Sequence, residues 1–578
     1  MKIEVQKATG TYADSLQAIG VAGLLEEVSR GTVTIRDRGY FFEVESINGL
    51  PPEEWQPPGP GFYYVWLRSK EKERPPGVLV LDYENERQRA KAAKESKNDR
   101  IKRGLEDQGL QAVSPVDREY RPAAILASMR KGWSSDKDVY LWVSQNGKEA
   151  LEWVRNELVD DKPSASPLKV KNSQFYNPVS GKGVHSPKTT AKSPGAISSE
   201  IVEPFAEWMK YRGAYQGMLA YRQGDDFKLF VIEPGEIEVW AISFLRTKLL
   251  DLNLWGGIRL DIEASLRLAE ILIMHSDVMG RPGIRLRSRQ PAKVVKGLRQ
   301  AFFKGLGTAA ALMNDAFLPL PSWFRINDRD DANAFMAVIK EHIGGYYDGG
   351  DRTYGCLGSL REDRPDNVQI LQQYRDWLNS GDPEDLLEFL ARFAVHVMQR
   401  EARVRSRSAD KLYDAPVHVM QREARVKRFS AEILTILFKR GYGMKEIVEN
   451  AGFLSVARAI RNATVTALWL RQQGKDKWDV RFGLAQKWKQ KMKGGAVKFI
   501  PVLADFVQDY NWEVANRLEG KAHVISKHDL DQVVSLITNN GNDRSELVGM
   551  LLLAYGFAKD PRAETDDNQI DTNEEAGQ

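Results

Sequence analysis

The spacing of apolar residues divides the chain into a mixed first part and an all-helical last part. Apolar side chains recur at helical spacing in residues 12–29, where Asp14 is placed to cap the helix. Short runs rich in β-branched and aromatic residues predict strands at 32–35, 40–44, 62–67, 78–81 and 139–143. Residues 227–232 and 237–242 flank Glu233-Pro234-Gly235-Glu236, a turn sequence that predicts a β-hairpin.

From residue 429 onward the apolar residues follow the helical period. Ser526 and Asp529 form a capping-box signature, and Pro501 stands where we expect a helix to start. We therefore predict an α+β protein, with an irregular mixed α/β domain over 1–428 and a compact all-α helical bundle over 429–560. Residues 561–578 are acidic and nearly without apolar side chains, which predicts a disordered tail.

A short duplication lies just before the predicted bundle. The string VHVMQREARV occurs at 395–404 and again at 417–426. One repetition is too little for a solenoid, which needs several stacked repeats. We interpret it as a local duplication that lengthens a helical connector.

Composition narrows the class of protein. A chain of 578 residues exceeds the usual size of one hydrophobic core, so more than one domain is expected. Cys356 is the single cysteine, which excludes an internal disulfide and a cysteine zinc site and fits a reducing compartment. The first residues lack the apolar core of a signal peptide, and no apolar run of about 18 residues occurs. We expect a cytoplasmic protein without a membrane segment.

Motifs for catalysis are absent from the sequence. The seven histidines form no HxH or HExxH pair, which gives a zinc hydrolase no support. Gly181-Lys182-Gly183 lacks the Ser or Thr that a Walker loop places after its lysine. We therefore predict no catalytic residue, no metal and no cofactor. One alternative stays open, a metal-dependent nuclease with a dispersed acidic site formed by Asp328, Asp330 and Asp331.

A loop predicted over 160–194 contains the most informative segment of the chain. Between residues 169 and 188 it has no acidic residue, several lysines for phosphates, amides able to read base edges and aromatic rings able to stack. The alternative is an ordinary flexible loop. The candidate nucleic-acid-binding residues here are Lys171, Asn172, Gln174, Tyr176, Asn177, Lys182, His185 and Lys188.

Two further basic regions suggest contact with nucleic acid. The segment 281–304 contains no acidic residue; we expect it to begin as a strand and to continue as a basic helix. Basic residues of the bundle are also one-sided and suit a sugar–phosphate backbone, although a solvated face has the same composition. The candidates are Arg285, Arg287, Arg289 and Lys293 in the segment, and Arg458, Arg461, Arg481, Lys487 and Lys491 in the bundle.

These parts, in this order, resemble the large subunit of the type I CRISPR effector complex, Cascade, nearest to subtypes I-A and I-B. The helix and hairpin over 12–44 are similar to the beginning of that family. The string QFYNPVSGKG at 174–183 resembles its central NP…GKG region. The helical bundle resembles the small-subunit-like domain fused to many large subunits.

The resemblance implies a role in a crRNA-guided DNA surveillance complex. The chain would recognise the protospacer-adjacent motif (PAM) in target double-stranded DNA and stabilise the R-loop, beside the Cascade backbone and small subunits and the crRNA. It would recruit a separate effector, either a helicase-nuclease in antiviral defence or a transposition adaptor in a CRISPR-associated transposon. A small subunit made by internal translation would start at Met420 or Met444. A general RNA-binding scaffold is the other alternative.

Overall fold

The structure is a computed structural model. It describes residues 1–66, 73–76, 80–82, 84, 133–160, 168, 170, 176, 178, 203–223, 226–252, 254, 256–279, 288, 290–306, 309–345, 354–410, 427–472, 479–517 and 522–559. The chain forms two compact units, the first Met1–Gly256 with Glu263–Leu320 and the second Gly257–Ile262 with Pro321–Gln578. The mixed α/β architecture and the helices after residue 429 confirm the predicted α+β class. Our domain boundary at 428/429 lies inside the second unit and does not coincide with this division.

The first unit contains the β-structure. Its strands are β1 (Lys2–Gln6), β2 (Thr32–Asp37), β3 (Phe41–Ile47), β4 (Tyr64–Trp66), β5 (Val80–Asp82), β6 (Met218–Gln223), β7 (Asp226–Pro234), β8 (Glu236–Glu238), β9 (Val295–Leu306) and β10 (Ala309–Pro319). Two antiparallel sheets have the orders β1-β3-β2-β8 and β10-β9-β7-β6, and β4 pairs with β5 in parallel. The pairing of β2 with β3 confirms the predicted hairpin near the start of the chain.

Seven helices belong wholly or mainly to this unit among the described residues. They are α1 (Tyr12–Ser29), α2 (Trp133–Gln145), α3 (Gly147–Leu158), α4 (Pro204–Gly217), α5 (Val239–Asp251), α6 (Ile258–Met274) and α7 (Pro291–Val294), and the first residues of α6 fall in the second unit. Helix α1 has the predicted bounds, but Thr11 is its N-cap and accepts from the amide of Ala13. The Asp14 carboxylate accepts instead from the amides of Thr9 and Gly10, so it fixes the turn that precedes the helix.

The predicted hairpin around Glu233-Pro234-Gly235-Glu236 is wrong. Strand β7 pairs with β6 and β9, whereas β8 pairs with β2 in the other sheet. Gly235 lies between them, and a Cβ built there would come within 2.3 Å of the Lys293 carbonyl oxygen. The local sequence encodes a tight change of direction, but the strands on each side pair with distant partners.

Two other local predictions are also wrong. Residues 139–143 lie in helix α2 rather than in a strand. Residues 295–304 of the basic segment lie in strand β9 rather than in a helix, because they pair with β7 on one side and β10 on the other. Backbone pairing with distant strands therefore outweighs the local charge pattern.

Helices α1 and α4 cross at very short range in the first unit. A Cβ on Gly20 would lie 1.8 Å from the Met209 carbonyl oxygen, and one on Gly213 would lie 1.9 Å from the Leu16 carbonyl oxygen. The two glycines therefore allow the backbones to touch. The loop 50–61 is held beside this crossing by the chain itself. The Gly59 amide, for example, donates to Glu27 Oε1 over 2.7 Å.

The described part of the second unit is helical. Its helices are α8 (Arg329–Ile343), α9 (Pro365–Ser380), α10 (Pro383–Asp410), α11 (Ala431–Ile436), α12 (Lys445–Val448), α13 (Ala451–Arg461), α14 (Ala467–Gln472), α15 (Leu484–Met492), α16 (Ala496–Arg517), α17 (Lys527–Thr538) and α18 (Ser545–Gly556). Every residue from 548 to 556 is buried, so α18 forms the centre of the bundle. Helices α10, α13, α15 and α17 pack against it.

The capping box at α17 is confirmed, because Ser526 and Asp529 exchange both hydrogen bonds. Pro501 lies inside α16 rather than at its start. The first copy of the duplicated string lies in α10, and the second copy and the acidic tail lie outside the described residues. None of the helices in the described ranges is both long enough and apolar enough to cross a membrane.

Candidate nucleic-acid interface

Helix α15 is oriented by one aromatic anchor. Trp488 is completely buried, and its ring meets Phe499 at 5.3 Å and Phe506 at 5.4 Å, edge to face in both cases. Lys487 and Lys491, which are four residues apart, lie on the exposed face of the same helix. With Leu484, Trp488 and Met492 buried along one side of the helix, both lysines remain exposed beside that buried side.

The exposed lysines of this region have no acidic partner among the residues that the structure describes. Lys489 is different, because its Nζ lies 3.2 Å from Glu388 Oε1. Like charges four residues apart on a helix repel each other, so the arrangement gives the folded chain no stability of its own. A polyanion placed along the helix would remove that repulsion. The exposed lysines without an ion pair are Lys487, Lys491, Lys493 and Lys498.

The arginines that we predicted as contacts in the bundle have different surroundings. Arg458 is exposed and forms no ion pair within the described part of the chain. Arg461 donates through Nη2 to the Tyr555 carbonyl oxygen over 2.9 Å, so it holds α13 to α18. Arg481 lies 3.5 Å from Glu513 Oε2, and its guanidinium stacks over the Phe506 ring at 4.9 Å. Arg461 and Arg481 are therefore both used within the bundle in the free chain, and their contact with nucleic acid stays a prediction.

The basic segment of the first unit is partly described. Lys293, Lys296 and Lys304 are exposed, and each lacks an ion pair among the described residues. Arg299 donates to Glu233 Oε1 over 3.3 Å, so an acid that is distant in sequence neutralises it. The predicted contacts Arg285, Arg287 and Arg289 lie outside the described residues.

The basic loop is described at four positions between 160 and 194. Tyr176 is only 1% exposed, and its ring lies 4.7 Å from the ring of Tyr211. Our prediction of Tyr176 as a stacking surface for a base is therefore wrong for the free chain, because the ring anchors the loop. The remaining predicted residues lie outside the described part; they are Lys171, Asn172, Gln174, Asn177, Lys182, His185 and Lys188.

The fold brings together a serine, a histidine and an aspartate that the sequence did not indicate. Ser455 Oγ lies 2.7 Å from His523 Nε2 and donates to Asp529 Oδ2 over 3.0 Å. Asp529 contacts the serine hydroxyl rather than orienting the histidine ring, which differs from the serine–histidine–aspartate order of a nucleophilic triad. Burial, together with the charge of Arg458, lowers the pKa of His523. The histidine is 68 residues from the serine, so no local pattern could reveal the group.

Two of the three acids of the nuclease alternative hold the start of α8, and the third, Asp330, is exposed. Asp328 is the N-cap of α8 and accepts from the Asp331 amide over 2.8 Å. The Asp331 carboxylate accepts from the Asn327 amide and pairs with Arg440. Although partial burial opposes it, these contacts hold the pKa of Asp331 below its ordinary value. Within the described ranges, no group of three or more His, Cys, Asp or Glu side chains could hold a metal ion.

No family model matches the chain, and no curated protein matches its sequence. A functional proposal therefore depends on the sequence resemblance and on the charged surfaces described above. Among those surfaces, the exposed lysines of α15 are the best defined, because their orientation follows from a buried anchor.

Proposed function

We propose that this chain is the cytoplasmic large subunit of a crRNA-guided DNA surveillance complex of the type I CRISPR kind, and that it is not itself an enzyme. It recognises the PAM in target DNA and stabilises the R-loop. The observation that carries the nucleic-acid part of the proposal is the pair of exposed lysines, Lys487 and Lys491, on one face of a helix anchored by Trp488. The order of parts along the sequence supports the CRISPR assignment.

The lysine helix suits contact with a backbone rather than with bases. A lysine ammonium neutralises a phosphate as a point charge and carries no base specificity. In a surveillance complex, base pairing between crRNA and the target strand reads the sequence, while protein contacts hold the separated strands. The bundle's lysines would hold one of these strands.

Recognition of the motif would belong to the basic loop. Asn172, Gln174, Asn177 and Lys182 supply amides and a cation of the kinds that read base edges in duplex DNA. Cleavage or insertion would then require a recruited partner, either a helicase-nuclease or a transposition adaptor. Under this proposal Asn177→Ala relaxes the choice of motif, whereas loss of a backbone lysine weakens all sequences equally.

Two alternatives from other classes remain. A metal-dependent nuclease would have to recruit acids other than Asp328 and Asp331, which cap α8 and pair with Arg440. A general RNA-binding scaffold would use the same lysines as the proposed subunit, so charge alone does not separate these two functions.

Co-expression with neighbouring genes and a crRNA array, followed by affinity purification and RNA sequencing, tests the proposal. We expect one ribonucleoprotein particle that contains short, processed, repeat-derived RNA. Recovery of unrelated RNA would favour the scaffold. Magnesium-dependent cleavage by the purified chain, lost with magnesium chelation, would favour the nuclease.

A further inference from the structure

An aromatic cleft of about 460 Å³ lies in the first unit, where the loop before β4 meets the end of α4 and the middle of α5. Ligand pockets in proteins commonly measure about 300–1,000 Å³, so its size suits a small planar group. The cleft is open to solvent along one side. Its lining residues are Gly61, Phe62, Tyr63, Tyr215, Gln216, Arg246 and Thr247.

The loop that supplies two of the rings is held rigidly. Gly61 has a positive φ of 78°, and a Cβ there would come within 2.3 Å of the Arg212 guanidinium. Arg212 donates to the Gly59 carbonyl oxygen over 2.7 Å and pairs with Glu27. The guanidinium thus closes the turn and determines where the next residues lie.

Phe62 and Tyr63 point to opposite environments. Phe62 is 8% exposed and meets Tyr140 at 5.7 Å and Tyr211 at 5.9 Å, edge to face in both cases. Tyr63 is 41% exposed. The buried phenylalanine therefore anchors the loop and leaves the neighbouring tyrosine at the mouth of the cleft.

The rings form a continuous aromatic wall. The Tyr215 centroid lies 6.0 Å from that of Tyr63 and 5.9 Å from that of Phe62, with interplanar angles of 41° and 43°. Among the lining residues that the structure describes, Arg246 carries the charge; its side chain is buried, and its Nε donates to the Met218 carbonyl oxygen over 2.8 Å. An aromatic wall with a cation and without a carboxylate in the lining favours a planar group that belongs to an anionic chain.

We propose that this cleft binds a single unstacked nucleobase of a bound nucleic-acid strand, an inference that rests on the proposed nucleic-acid-binding function. The base stacks on Tyr63 and Tyr215, and its strand continues along the open side of the cleft. The open side lets a base enter while its strand continues along the surface, which an enclosed pocket would prevent.

The cleft would accept any nucleobase and would not discriminate among the four. The Gln216 amide packs under Gly23, where a Cβ would lie 2.2 Å from Gln216 Nε2, and its Oε1 is buried. That amide is therefore turned away from any base edge in the cleft. Stacking on an aromatic ring accepts every base, because each base has a π-face.

The test compares two single strands of about 12 nucleotides, within the range that such surfaces cover. One is labelled oligothymidylate, and the other has the same phosphates with abasic linkages in place of the bases. Full-length Tyr63→Leu and Tyr215→Leu keep apolar volume but lose the ring. We expect each to bind oligothymidylate about tenfold more weakly by fluorescence anisotropy, with unchanged binding of the abasic strand.

Tyr63→Phe retains the ring and should bind as the native chain does. Tyr40→Leu is the matched control, because Tyr40 is 89% exposed and lies in the turn between β2 and β3, away from the cleft lining. Thermal melting verifies that each variant is folded, and Tyr63→Leu alone decides the test if Tyr215→Leu does not fold. Native-like binding by the leucine variants would overturn the cleft and leave the proposed function standing. A native chain that binds neither strand would overturn both.

Discussion

At the scale of single residues, the proposed function depends on the positive charges of Lys487 and Lys491, which would neutralise phosphates of the bound strand. Each lysine that neutralises a phosphate of a single strand adds about 0.7 to the slope of log affinity against log salt. We predict that Lys487→Gln combined with Lys491→Gln lowers this slope by about 1.4 and weakens binding evenly across sequences. Anisotropy titrations of a labelled single strand at several salt concentrations measure both quantities.

Lys489→Gln is the matched control for that experiment. Lys489 lies on the same helix, but its ammonium already pairs with Glu388 at 3.2 Å. We expect this variant to keep the native slope. If the double variant also kept it, the lysines would have no contact with phosphate.

His342 gives a second prediction at this scale, because burial lowers its pKa to about 3. The unfolded chain takes up a proton near pH 6.5, whereas the folded chain stays neutral until about pH 3. The stability from neutral His342 is therefore complete above about pH 6.5 and is lost as pH falls toward 3, at up to about 1.4 kcal/mol per pH unit. Glutamine does not titrate, so His342→Gln should remove this contribution to the dependence of the free energy of unfolding on pH.

Urea unfolding between about pH 7 and 4 measures the free energy of unfolding for both proteins. His528→Gln serves as the control, since His528 is exposed on α17. It should follow the native pH dependence. If the free energy of unfolding varied with pH in the same way for the native chain and for His342→Gln, the lowered pKa of His342 would be contradicted.

Single residues also show how far the sequence predicts a site. The cationic residues of the bundle are visible in the sequence, but their partners are not. Arg481 is neutralised by Glu513, 32 residues away, and Arg461 is bonded to Tyr555, 94 residues away. The helical period alone does not place Lys487 and Lys491 opposite Trp488, because they stand one residue before it and three residues after it; their exposure becomes clear only in the structure.

The crossing of α1 and α4 gives the prediction at the scale of elements. Helix propensity alone would make Gly213→Ala stabilising by about 1 kcal/mol. The added Cβ would meet the Leu16 carbonyl oxygen at 1.9 Å, and backbone cannot move aside as a side chain can. We therefore predict the opposite sign, a loss of about 3 kcal/mol or more in the free energy of unfolding.

Gly483→Ala is the control, because nothing lies within 4 Å of the added Cβ. It should be close to neutral in the same denaturant measurement. A stabilising effect of Gly213→Ala would mean that the two helices do not cross at this distance.

The elements that the sequence missed share one physical cause. In residues 139–143 the β-prone side chains favoured a strand, yet Val139 and Val143 are both buried at helical spacing in α2. Trp142 also packs edge to face on Trp153 of α3 at 5.7 Å. Strand β9 was missed because its partners, β7 and β10, lie outside the segment. Packing and pairing with distant residues outweighed local preference in each case.

At the scale of the whole molecule, the predicted bundle over 429–560 packs against a helix that precedes it in the sequence. The change of composition at residue 429 is real, but α10 (Pro383–Asp410) packs against α18, the buried centre of the bundle. A helix that is buried on every face needs neighbours on every side. One neighbour of α18 is therefore α10, which precedes the change of composition. The composition of the sequence changes at residue 429, but the packing of α10 against α18 shows that the compact unit also includes earlier residues.

This gives a prediction about fragments. A fragment of residues 429–578 lacks α10, so one face of α18 returns to water at about 2 kcal/mol for each large apolar side chain. We expect it to melt well below a fragment of residues 383–578 and to bind a hydrophobic dye. Products that start at Met420 or Met444 would share this exposed face, and the second would also lose α11, whose first residue Ala431 donates to the Lys559 carbonyl oxygen over 3.1 Å. Calorimetry measures the melting temperature of each fragment, and dye binding measures its exposed apolar surface. Equal melting of fragments 429–578 and 383–578 would show that the bundle folds without α10, as the predicted boundary at 428/429 implies.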